Sequence, residues 1–277
     1  MQRSRRFEAG VPSVPGRPIA VRARDGKCLT WKDPSVSWIR ATTRIALTLV
    51  EILLFSGCKQ AAVDVVHGVH VVRIPPRASD PGAPLVVALH GYSGEPQSFA
   101  SAWRSLDLEV AGPEGFIPLS RGYSWFDWPG GLPEEQIAQR AIAAADRLWP
   151  AIVQIASGRK VIVIGSSQGG ILAFALAARY PEAVAYAFPI AGWAPRQILL
   201  PDRVPAPVLA FHGTEDRVIP IDLDRSSIAA FSAHRGLAAL EEFPGDGHEF
   251  TRKVRNHVLG RVRTVVAAAR AADAGPP

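Results

Sequence analysis

Ile162-Val-Ile-Gly165-Ser-Ser167-Gln-Gly169-Gly170 is the stretch on which the reading of this chain turns. A β-branched apolar run ends at Gly165, and a helix-forming segment begins at Gln168. Between them stands Gly-x-Ser-x-Gly with Ser167 at its centre. A strand that turns sharply into a helix strains the backbone of the turn residue, and flanking glycines relieve the crowding. Such a turn lifts the Ser167 Oγ clear of a sheet, beside a helix N-terminus whose dipole favours developing negative charge. The bare pattern also fits a glycine-rich turn holding an ordinary serine, so the surroundings decide.

Outward from this turn, apolar runs alternate with helical stretches, the pattern of a largely parallel sheet with helices on its faces. Strands are expected at 70–74, 85–89, 108–110, 160–164, 184–190, 208–211 and 238–243. Helices are expected at 96–106, 133–156, 168–180, 222–235 and 251–271, with a long Gly/Pro-rich loop over 112–132. No repeat interrupts this order. The expectation is one α/β domain over residues 58–277, with its core at about 65–271.

A serine hydroxyl is a weak nucleophile and needs a base. Of the seven histidines, His248 lies in Pro244-Gly-Asp-Gly-His248-Glu-Phe, a loop between the last strand and the last helix. Such a loop can carry an imidazole over the sheet edge to Ser167; otherwise His248 is a solvated loop residue. His90 and His212, beside glycines at strand ends, suit backbone hydrogen bonding instead. The base needs a carboxylate to fix its tautomer. Asp216 is preferred, in the loop after strand 208–211, with Glu215 and Asp222 as competitors. The backbone N–H of Gln168 is one expected oxyanion donor. The second is Tyr92 N–H, or that of Ser93, in the loop after strand 85–89.

The set Leu89-His-Gly91, Gly165-Ser-Ser167-Gln-Gly169, Phe211-His-Gly-Thr-Glu-Asp216 with Val218-Ile-Pro220, and Gly247-His248 resembles the phospholipase/carboxylesterase branch of the α/β-hydrolases. That branch includes bacterial carboxylesterases and acyl-protein thioesterases. The resemblance implies a single α/β-hydrolase domain, a mostly parallel sheet flanked by helices, and no cofactor. The modest length leaves no room for a large lid. Ser124-Trp125-Phe126-Asp127 resembles the branch's aromatic segment beside the acyl site. Trp125, Phe126, Trp128 and Trp193 are therefore expected either to line an acyl pocket or to pack beneath the long loop. Tyr92-Ser-Gly departs from the turn common in the branch.

The expected activity is hydrolysis of carboxylic esters with short to medium acyl chains. The alternatives are a thioesterase or lysophospholipase, a serine peptidase of the same fold, and a non-catalytic acyl-binding lipoprotein.

Composition trims the remaining classes. At 48% hydrophobic and 20% charged residues, the chain is too apolar for disorder. Its two cysteines make neither a disulfide framework nor a zinc site. The net charge of +6 lies wholly within residues 1–57, where ten basic residues face four acidic ones. The other 220 residues balance, which argues against nucleic acid as a partner and leaves a small-molecule ester. Within the basic leader, Ile45 to Phe55 is an apolar run interrupted by Glu51, too short to span a bilayer. Phe55-Ser-Gly-Cys58 resembles a bacterial lipobox, which implies export, lipidation of Cys58 and attachment to a membrane of the bacterial envelope. The leader's length points to a start downstream, near Val36. The competing reading is the N-terminal helix of a cytoplasmic enzyme.

Overall fold

The computed structural model describes residues 62–273, all within the compact unit Lys59–Pro277. The leader and Cys58 lie outside the described residues. Strand β3 (Leu85–Leu89) is buried at every position. Successive strand residues face opposite ways, so this one run serves two cores. Leu85, Val87 and Leu89 meet one set of helices; Val86 and Ala88 meet another.

Eight strands form the central sheet in the order β1-β2-β4-β3-β7-β8-β9-β10. They are β1 (Ala62–Val66), β2 (Val69–Ile74), β3, β4 (Val110–Pro113), β7 (Val161–Ser166), β8 (Val184–Ile190), β9 (Val208–Gly213) and β10 (Ala238–Phe243). Only β1 with β2 and β2 with β4 pair antiparallel; from β4 to β10 the sheet is parallel. Five helices flank it among the described residues: α1 (Pro96–Ser101), α2 (Glu134–Ala156), α3 (Gln168–Arg179), α4 (Ile221–Ala233) and α5 (Arg252–Asp273). Helices α2 and α3 cover one face together with Phe231 of α4, while α5, Ala100 and Trp103 cover the other. Helix α3 is buried from Gln168 through Ala178. It packs on β7 and β8 beneath α2, which explains why its sequence is apolar all round. No described helix is long and apolar enough to cross a membrane.

Four features differ from the sequence reading. The helix expected over 96–106 stops at Ser101 and resumes as a 3₁₀ turn, Arg104–Leu106. The break lets Trp103 turn inward, fully buried against Phe99 and Phe250. The strand expected at 108–110 lies at Val110–Pro113, where β2 and β3 hold it from both sides. Within the long loop, Ile117–Pro118 (β5) pairs with Tyr123–Ser124 (β6) as a small hairpin. Edge strand β1 was not foreseen. Its mostly exposed residues give no core pattern, although His67 and Gly68 both adopt positive φ, as a tight hairpin turn requires.

Strand β10 closes the other edge. Its Glu242 takes a two-pronged grip from Arg225, at 2.8 and 2.7 Å, and its Glu241 pairs with His257 and Arg261.

Candidate active site

Strand β7 delivers Ser167 to the carboxyl end of the parallel sheet, where crevices form in such folds. Ser167 has φ 54° and ψ −117°, a left-handed conformation that a non-glycine residue holds at a cost of about 1–3 kcal/mol. The surrounding structure enforces it. The Ser167 N–H donates to the Ile190 carbonyl at 2.8 Å, and its own carbonyl accepts from Gly170 N–H at 2.8 Å. Gly165 and Gly169 are required by proximity. A Cβ on the first would run into the Gly169 carbonyl, and one on the second into the Leu89 carbonyl.

The loop after β10 brings His248 over the edge. Its Nε2 lies 2.9 Å from Ser167 Oγ, and its Nδ1 lies 2.7 Å from Asp216 Oδ2. Nδ1 donates to the carboxylate, so Nε2 is left to accept the serine proton. Asp216 follows β9, and its side chain is fully buried. Its other oxygen accepts the N–H groups of Val218 and Ile219 at 2.8 and 2.9 Å. Burial would raise the Asp216 carboxyl, but these bonds and the one from His248 outweigh it and hold the pKa below the usual range. The two competing carboxylates stand elsewhere. Glu215 is exposed, and Asp222 pairs with Arg225 at 2.8 Å.

The loop after β3 abuts the serine. A Cβ on Gly91 would stand 3.3 Å from Ser167 Cβ, so the backbone entering Tyr92 passes beside Ser167. Gln168 opens α3, where its N–H has no acceptor within the helix. His90 fixes the same loop from beneath. Its Nε2 accepts Gly115 N–H at 3.2 Å, so its Nδ1 carries the proton and donates to the Gly91 carbonyl at 2.8 Å. Burial lowers the His90 pKa, in keeping with a neutral ring.

Two features were missed in the sequence. The first is the side chain of Gln168. Its Oε1 accepts from Trp125 N–H at 2.9 Å and lies 3.1 Å from Ser124 Oγ, whose one proton goes to the nearer Phe126 carbonyl at 2.7 Å, while its Nε2 donates to that carbonyl at 2.9 Å. With the Trp125 indole donating to the His90 carbonyl at 2.8 Å, segment 124–126 is hooked onto the nucleophile turn. A motif reading uses only the backbone of Gln168, and no local signal marks its partner 43 residues away.

The second is a buried pair behind Asp216. His212 Nε2 lies 2.8 Å from the Ile219 carbonyl, which can only accept, so this nitrogen bears a proton. It also lies 3.1 Å from Asp216 Oδ2. Nδ1 faces Asp224 Oδ2 at 2.9 Å. One proton therefore sits between His212 and Asp224. Burial pushes the Asp224 carboxyl up to about 6, against the pull of His212. For His212, burial disfavours the charged form, but Asp224 and the Ile219 carbonyl outweigh it and raise the pKa.

Trp125, Phe126 and Trp193 are at most 7% exposed and belong to the core against α2 and α3. None lines the cleft beside the serine, which holds about 790 Å³ between the His90–Glu95 loop, α1, Arg121 and the start of α5. Of the two placements open to them, these three take the packed one: hydrogen bonds joining Trp125 and Phe126 to Gln168 and His90 draw segment 124–126 inward. Trp128 is only partly buried, packed against Phe126 with ring centroids 5.8 Å apart. No cluster of metal-binding side chains occurs among the described residues.

A doubly covered, mostly parallel sheet with a strained serine between its central strand and the next helix defines an α/β-hydrolase domain. The profile of the phospholipase/carboxylesterase family matches residues 74–264, and the chain belongs to that family. Carboxylesterase SOBER1 of Arabidopsis thaliana is 27% identical over 148 residues, a match spanning 49% of this chain and 64% of that protein's length. The crystal structure of esterase PE8 superposes with a TM-score of 0.63 at 21% identity, covering 70% of this chain and 97% of that one. Acyl-protein thioesterase 2 of Zea mays superposes at 0.55 with 17% identity, over 71% of this chain and 98% of its own. At such identities the structural likeness speaks for the fold alone.

Proposed function

We propose that the protein is a serine hydrolase that cleaves carboxylic esters of short to medium acyl chains through an acyl-enzyme. The observation that carries this reading is the continuous hydrogen-bonded line from Ser167 Oγ through His248 to Asp216, at 2.9 and 2.7 Å. Ser167 Oγ attacks the ester carbonyl while His248 Nε2 takes its proton. The N–H groups of Tyr92 and Gln168 bind the oxyanion, a contribution of roughly 3–4 kcal/mol for each donor. His248 then protonates the departing alkoxide, leaving an ester on Ser167. Water, deprotonated by His248, hydrolyses that ester and restores the serine. Asp216 stays ionised throughout, favouring the imidazolium that forms at each step.

A fluorophosphonate probe should label the wild-type protein at Ser167, and Ser167→Ala should abolish both labelling and turnover of 4-nitrophenyl butyrate. Full ester hydrolysis by Ser167→Ala would remove the assignment. Cleavage of aminoacyl-arylamides with no ester turnover would replace it with a peptidase.

A further inference from the structure

The cleft beside Ser167 has a floor and a rim of different character. Phe99 and Phe250 lie side by side in its lining, in contact with ring centroids 5.3 Å apart, an apolar surface suited to a carbon chain. Around them stand Arg121, Arg252 and Arg255, with Glu95 the one acid in the lining. Among the described residues, none of the three arginines forms an ion pair. Arg73, Arg140, Arg159, Arg179, Arg203, Arg225 and Arg261 all meet carboxylates, so an arginine with a carboxylate in reach pairs with it here.

Their placement also runs against local electrostatics. The first turn of α5 holds Arg252, Lys253 and Arg255 and no acid, although a helix N-terminus disfavours cations. Lys253 is neutralised by Asp246 at 3.0 Å. Arg252 is exposed, and Arg255 is half-buried, bonded only to the Asn256 side chain at 3.3 Å, with its Nε buried and without a partner. An anion arriving in the cleft would satisfy this arrangement, because guanidinium groups match a carboxylate in charge and fork geometry.

We propose that the cleft selects esters carrying an ionised carboxylate: the chain lies over Phe99 and Phe250, and the carboxylate is held by Arg121, Arg252 and Arg255. Ser166 and Gly91, which flank the nucleophile, line the same cleft, so a substrate held there has its carbonyl within reach of Ser167. This rests on the hydrolase reading above and names its substrate class.

The test compares kcat/KM for matched pairs on the full chain. One pair puts the charge on the acyl side: 4-nitrophenyl hydrogen glutarate against 4-nitrophenyl valerate. The other puts it on the alcohol side: the butyryl ester of 4-hydroxybenzoate against that of 4-hydroxybenzamide. In at least one pair the anionic ester should be preferred about tenfold, equivalent to about 1.4 kcal/mol, and the preference should shrink as salt screens the charges. Arg252→Gln and Arg121→Gln should each pull that ratio towards one. The ratio is taken within one enzyme preparation, so partial misfolding cancels. Neutral esters turned over with no anionic preference in either pair would refute the carboxylate site and leave the hydrolase standing, as would a preference that Arg252→Gln and Arg121→Gln leave intact. Absence of any ester turnover and of fluorophosphonate labelling would refute the hydrolase itself.

Discussion

Replacing Gln168 with methionine isolates the hook that joins segment 124–126 to the nucleophile turn. Methionine fills nearly the same volume, so the change removes polar atoms from a residue only 3% exposed without opening a cavity. Two hydrogen bonds disappear, but they do not cost equally. Ser124 Oγ already lies 2.7 Å from the Phe126 carbonyl and keeps that partner. The Phe126 carbonyl in turn keeps Ser124. Trp125 N–H alone is left buried without an acceptor. An orphaned buried amide costs about 1–3 kcal/mol and a lost but replaceable bond about 0.5–1.5 kcal/mol, so Gln168→Met should destabilise by about 2–4 kcal/mol. With a urea dependence of about 2–3 kcal/mol per molar for a domain of this size, the unfolding midpoint should fall by roughly 1 M. Intrinsic fluorescence, summed over the seven tryptophans, follows the transition during urea unfolding. The backbone N–H of residue 168 survives the substitution, so the fluorophosphonate should still label Ser167. A midpoint within about 0.2 M of wild type would show that these bonds do not anchor the segment.

Further expectations follow from the same geometry. Asp216→Asn should lower kcat by roughly four orders of magnitude, because the amide cannot enforce the His248 tautomer, while the circular dichroism spectrum stays unchanged. The carboxyl of Asp224 is raised in the folded state, so its contribution to stability is present in full below about pH 4 and lost as pH rises through about 6. His212, also raised, acts in the same sense. Between pH 4 and pH 6 the wild-type urea midpoint should therefore fall relative to that of Asp224→Asn; a difference that does not change with pH would count against a proton shared by the pair. Gly169→Ala drives a methyl into the Leu89 carbonyl and should cost at least 3 kcal/mol or prevent folding, measured by soluble yield and thermal melting. Trp103→Ala should cost about 3–5 kcal/mol in the same melting assay, the usual range for emptying a fully buried indole site.

The parallel half of the sheet was legible because its strands are buried on both faces and so read as unbroken apolar runs, β3 and β7 above all. The order Ser167, Asp216, His248 was legible because each residue follows a recognisable strand, and the carboxyl ends of parallel strands share one edge. What escaped had no local signature. Trp103 turns inward at a helix break that no proline or glycine marks. The placement of Trp125, Phe126 and Trp193 stayed open because an aromatic-rich loop reads alike whether its rings face a ligand or the core. The choice was made by Gln168, far away in sequence. His212 was assigned a backbone role, and its bond to the Ile219 carbonyl is one. Its second partner, Asp224, comes from the next helix and could not be read from the flanking glycine.

Strand β10 carries a consequence beyond its place in the order. A terminal strand offers unpaired backbone groups as a template on which another chain can add. In this sheet that template is fenced by charge: Glu241 is clasped by His257 and Arg261, and Glu242 by Arg225. The loop carrying His248 begins where β10 ends, so a second molecule zipping onto that strand would press on the base as well as bury the edge. The ion pairs thus act as a fence against polymerisation next to His248, and acid or concentrated salt, which loosens them, is where such zipping should begin.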